Sequence, residues 1–148
     1  MSQLSPHFSL QELTRSDYAA RHNINNVPMP RIVENLVFTA QRMEEVRALL
    51  GHPIAVSSGY RSQELNDAIG GSLTSQHRYG LAVDFTCEAF GSPFEVCKAI
   101  EASGIQYDQL IHEYGQWCHI SFVRTAPRRQ ELTTFSPGRY TPGITQRK

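Results

Sequence analysis

His77 and Asp84 stand seven positions apart in Ser75-Gln76-His77-Arg78-Tyr79-Gly80-Leu81-Ala82-Val83-Asp84-Phe85. Leu81, Val83 and Phe85 alternate with Ala82 and Asp84, which predicts a strand over residues 81–85 with Asp84 opposite the apolar face. A carboxylate on so apolar a strand must be paired, hydrogen-bonded or bound to metal. Gly80 allows a turn that returns the His77 ring over the Asp84 face. An imidazole and a carboxylate on one rigid element make half of a zinc site.

The other half must come from one of the remaining histidines. His7, His22 and His52 fall in polar or helix-terminal positions and read as surface residues. His112 and His119 belong to two apolar, aromatic-rich runs, Gln109–Tyr114 and Trp117–Val123, which flank Gly115-Gln116 and predict a hairpin. On the second run Cys118, Ile120 and Phe122 share a face that reads as core, while Trp117, His119 and Ser121 share the other. His77, Asp84 and His119 would hold one Zn2+ ion and leave a position open, the pattern of catalytic sites. Such a site also needs a base, and Glu113 is the nearby carboxylate. A two-residue loop, Gly115-Gln116, would turn Glu113 away from His119 and bring His112 beside it. A three-residue loop puts Glu113, Trp117 and His119 on one face, and that odd-length loop, with Gly115 or Gln116 at positive φ, is the expectation.

The elements that must position these groups follow from local signals. Ser9-Leu10-Gln11-Glu12 is a capping box opening a short helix, and one or two helical turns follow over Ser16–His22. From about Pro30 to Leu50, apolar residues recur at helical spacing and stop at Gly51; Met43 in this stripe reads as packing. A short strand over 53–57, a helix over 62–69 and a helix from Ser92-Pro93-Phe94-Glu95 to about Ser103 complete the set. The sum is α+β: helices packed on one side of a small antiparallel sheet that carries the zinc site.

The chain of 148 residues fits one domain, predicted over 1–123, and its zero formal net charge gives no reason to expect nucleic acid. Residues 124–148 carry six cations against Glu131 alone, a net +5 tail on a net −5 body. That Pro- and Arg-rich segment shows no period and reads as a loop or loosely attached tail, solvated in preference to docking on an anionic polymer. Three cysteines with no paired spacing read as reduced and buried. The N-terminus lacks a Sec signal and no run is long enough to span a membrane, so synthesis in the cytoplasm and a monomeric state are expected.

Ser57-Ser58-Gly59-Tyr60-Arg61-Ser62, Ser75-Gln76-His77 through Asp84, and Trp117-Cys118-His119 together resemble the zinc D-Ala-D-Ala carboxypeptidase and endolysin family, which is grouped with lysostaphin-type peptidases and the hedgehog domain. Phe8-Ser9-Leu10-Gln11-Glu12-Leu13, Asn35-Leu36 and Leu65-Asn66 extend the likeness to about Val123. The resemblance implies hydrolysis of an amide in peptidoglycan stem peptides, by a carboxypeptidase or an endopeptidase of phage-lysin type that reaches the cell wall once released. It implies His77, Asp84 and His119 as zinc ligands, Arg61 on the substrate or polarised carbonyl, and Ser75 beside the site; Tyr60 and Trp117 are candidate walls of the cleft. Carboxypeptidase members commonly carry the base three residues before the last histidine, where this chain has Gln116, while Glu113, six before it, resembles the spacing in the hedgehog branch and in several phage-type members. A zinc-stabilised binding or phage structural module without turnover is therefore the alternative.

Overall fold

The computed structural model describes residues 2–147. A small two-stranded ladder, β1 (Gln3–Ser5) with β2 (Phe8–Ser9), leads into α1 (Leu10–Thr14) and α2 (Asp17–Arg21). Ser9 and Glu12 form the expected capping box on α1. The long helix α3 (Pro30–Leu50) starts on a first-turn proline and ends at Gly51, whose φ of 70° is the left-handed conformation glycine adopts without steric cost. Its apolar stripe is the centre of the core. Leu36, Met43 and Val46 are fully buried, each contributing roughly 1.5–3 kcal/mol relative to exposure.

After β3 (Ala55–Ser58) come α4 (Gln63–Ala68), a 3-10 turn over Gln76–Tyr79, β4 (Ala82–Thr86) and α5 (Pro93–Glu101), the last with a second capping box from Ser92 and Glu95. The hairpin strands are β5 (Gln109–Glu113) and β6 (Trp117–Ser121), followed by β7 (Gln130–Ser136) and β8 (Arg139–Pro142). One six-stranded sheet results, in the order β3-β4-β6-β5-β7-β8. Every pairing in it is antiparallel except β5 with β7. The fold is mixed α+β, with α3 and α5 packed on one sheet face.

Strand parity decides what each face carries. Val83, Phe85, Leu110, Cys118 and Ile120 join the core against the helices. The opposite face bears Asp84, His119, Ile111 and Leu132, which pair in register across four strands, and it floors an open cleft of about 1080 Å³. Among the described residues no helix is long and apolar enough to cross a membrane.

Two sequence expectations are corrected. The segment after Arg124 is not a loop: it supplies β7 and β8, and Ile144 is buried in the core. Three of its arginines are tied to the body, and Arg147 folds back on the segment itself. Arg124 bonds Asn35 Oδ1, Arg128 forks onto Asp108, Arg129 lies over the Tyr107 ring, and Arg147 lies over Phe135. Lys148 lies outside the described residues. The cysteines are all buried, but Cys97 on α5 and Cys118 on β6 form a disulfide, leaving Cys87 free. The two come from elements 21 residues apart that pack together, so no local spacing announces the pair.

Candidate metal centre and active site

His77 is set by its backbone before its ring. The 3-10 turn is capped by Ser75, whose hydroxyl accepts from the His77 N–H, and closed by Gly80 at φ 73°. The buried His77 Nδ1 lies 2.7 Å from the Gly59 carbonyl, which obliges that nitrogen to donate. Nε2 then carries the lone pair of a neutral ring, and it faces Asp84 Oδ1 at 3.3 Å. His119 Nδ1 approaches the same oxygen at 2.9 Å, because Asp84 and His119 are directly paired on neighbouring strands.

These three side chains fit a metal ion. Their ligand atoms all lie within 4.8 Å of one another. A tetrahedral zinc site with ligands at about 2.0–2.1 Å has edges of roughly 3.4 Å, close to the spacings here. The His77 lone pair opposing a carboxylate oxygen is repulsive until a cation lies between them. Gly59 plays the outer-shell part that fixes a metal-binding imidazole in one tautomer.

The electrostatics agree. Burial pushes the His77 imidazole below its ordinary range, outweighing the pull of Asp84, so the ring is neutral. For Asp84 burial acts upward, yet the two histidines overcome it and hold the carboxylate far below its usual range. Burial also acts against a charged His119, but its hydrogen bond to Asp84 and the negative charges of Asp84 and Glu113 raise it. The balance leaves an ionised Asp84 between a neutral His77 ring and a His119 ring whose proton it favours.

Glu113 faces the same way as His119. The hairpin register pairs Glu113 with Trp117 and Ile111 with His119, so the loop is the three residues Tyr114-Gly115-Gln116, as parity required. Gly115 has positive φ as expected, and Tyr114 shares it at 61°. Burial, and then the negative charge of Asp84, push the Glu113 carboxyl above its ordinary value. The carboxyl is therefore easier to protonate than a solvent-exposed glutamate. His112 turns to the opposite face, where its Nδ1 contacts the Thr145 carbonyl at 2.9 Å.

The remaining predicted residues divide. Arg61 lines the cleft; its Nε donates to Ser58 Oγ and its Nη2 lies 3.3 Å from Asp84 Oδ2, leaving Oδ1 to the histidines. Ser75 also lines the cleft. Trp117 does so too, but its indole N–H is committed to Glu113 Oε1 at 2.6 Å, which makes it a positioning residue for that carboxylate. Tyr60 is different. Its N–H donates to the Leu13 carbonyl and its ring is buried in the core, away from the cleft, so it is no substrate wall. The neighbouring Gly59 explains the turn: a Cβ there would collide with the Leu13 carbonyl oxygen. No local pattern marks the Gly59 carbonyl as the partner of His77, although a glycine directly before Tyr60-Arg61 signals a close approach of backbone.

The peptidase M15 family model matches residues 6–121. The chain belongs to the peptidase M15 family. That membership supports a metallopeptidase acting on a peptide substrate, and the matched span contains the 3-10 turn, β4 and the β5–β6 hairpin that carry the site. No curated protein sequence matched the chain.

Proposed function

We propose that this M15 peptidase is a zinc-dependent hydrolase of an amide bond in peptidoglycan stem peptides. The observation that carries the reading is the Glu113 carboxylate, held by Trp117 on the same sheet face as the His77–Asp84–His119 cluster. His77, Asp84 and His119 would hold a zinc ion, which would supply Lewis acidity for the scissile carbonyl and for a water. Glu113 accepts the proton of the attacking water and hands it to the leaving amine, a role its raised carboxyl suits in both directions. Arg61, anchored through Ser58 and Asp84, steadies the carbonyl oxygen as it gains negative charge, or a substrate carboxylate. The cleft, about 1080 Å³ and open to solvent, has room for a peptide segment.

Purified protein with and without added zinc, assayed on muropeptides by mass spectrometry, tests the proposal. Cleavage is expected only with zinc. His119→Ala should lose both metal and cleavage, while Glu113→Ala should keep the metal and lose roughly 100-fold or more of the rate. Zinc binding without cleavage by the unaltered protein would leave the binding-module reading in its place.

A further inference from the structure

The cleft has a wall that the family-matched span does not contain. β7 and β8 lie beyond residue 121, and their hairpin brings Pro137, Gly138 and Tyr140 to the cleft rim. Tyr140 is placed by register. Trp117 pairs with Glu113, Glu113 with Thr134 and Thr134 with Tyr140, so Glu113 and Tyr140 share a sheet face two strands apart. That spacing is about 10 Å between backbones, within which a tyrosine and a glutamate side chain approach the same ligand. Tyr140 remains half exposed, and its hydroxyl makes no hydrogen bond to the described residues. Burial first, and then the nearby Glu113, Tyr114 and Asp84, push its phenol above the ordinary value.

Direction along the cleft follows from chemistry. Arg61 flanks the metal cluster from the β3 side, and Glu113 flanks it from the β5 side. If Glu113 delivers the proton to the leaving amine, the amine-side half of the substrate points from Glu113 toward β7 and β8. There the floor is Ile111 beside Leu132, and the rim is Tyr140. We infer that the β7–β8 hairpin is the leaving-group subsite, in which the Tyr140 hydroxyl donates a hydrogen bond to the amine-side product half over an apolar floor suited to a small aliphatic residue. The inference rests on the proposed hydrolysis for its direction.

The test compares the zinc-loaded protein with its Tyr140→Phe variant, after matching circular dichroism and zinc content. Where the unaltered protein cuts a stem pentapeptide, the two product halves are titrated separately by calorimetry and as product inhibitors. Tyr140→Phe should weaken the amine-side half at least fivefold and leave the acyl-side half unchanged, with kcat/KM falling by a similar factor. Equal affinity for the amine-side half, or a loss confined to the acyl-side half, overturns the assignment. Where no bond is cut, the leaving-group assignment falls with the proposed hydrolysis; binding of the intact pentapeptide then decides only the contact, which a fivefold loss in Tyr140→Phe sustains and no binding or no change removes.

Discussion

At the scale of single residues, the site depends on groups that aim other groups. Gly59 aims His77 through a carbonyl, and Trp117 aims Glu113 through an indole N–H. The second contact has a measurable consequence. The Trp117 hydrogen bond stabilises the charged carboxylate and so draws the Glu113 carboxyl downward, against the burial that raises it. Trp117→Phe keeps the ring and removes the donor, so the Glu113 carboxyl should move further up. A base must be deprotonated to act, and the acid limb of the kcat/KM profile should therefore shift to higher pH. The plateau should also fall by about tenfold or more as the carboxylate loses its fixed orientation. An acid limb that stays in place would show that Glu113 is not the titrating base.

At the scale of elements, α3 is the buttress of the His77 turn. Thr39 donates to the Gly80 carbonyl at 2.6 Å from a fully buried position, and Asn35 Nδ2 donates to the Tyr79 carbonyl. A Cβ at Gly80 would meet Leu36 at 3.0 Å, so helix and turn are in direct contact. Thr39→Val keeps the shape and orphans the Gly80 carbonyl. It should cost roughly 1–3 kcal/mol of stability and weaken zinc about tenfold, through a support two steps removed from the ion. Thermal unfolding of the metal-free protein and competition against a chromophoric chelator check the two effects; unchanged zinc affinity would mean the turn holds itself. The stripe of α3, the two capping boxes, Asp84 opposite an apolar face and the odd hairpin loop were all legible in the sequence, since each is a periodicity or a cap within a few residues. Thr39 with Gly80 and His77 with Gly59 were not, because they join positions 41 and 18 residues apart and leave no local pattern. Tyr60 misled for the same reason: its neighbourhood is made by α1, not by the strand it follows.

At the scale of the whole molecule, the C-terminal segment is where composition misdirected. Prolines and arginines without a period suggest a loose tail, yet β7 enters the sheet by a parallel pairing with β5, a contact that alternation along one strand cannot foretell. Arg124, Arg128 and Arg129, which look like part of a solvated charge run, are staples between that segment and the body. Arg128 is the central one. Its backbone N–H and Nε donate to Asp108 Oδ1 and its Nη2 to Oδ2, just before β7 begins, while Gln76 beside the His77 turn donates to the same carboxylate. These bonds, Arg128's side chain first, hold the Asp108 carboxyl below its usual range. A depressed carboxyl contributes stability that is present above its unfolded value and is lost as pH falls through its folded value. Asp108→Asn should therefore lower the melting temperature at neutral pH by a few degrees, corresponding to about 1 kcal/mol once the exposure of Arg128 is allowed for. The difference between the two proteins should close as pH drops through the carboxylate range, in a melting series from pH 7 to pH 2. A gap that persists unchanged to the acid end would place the effect in packing and detach the tail's docking from this ion pair.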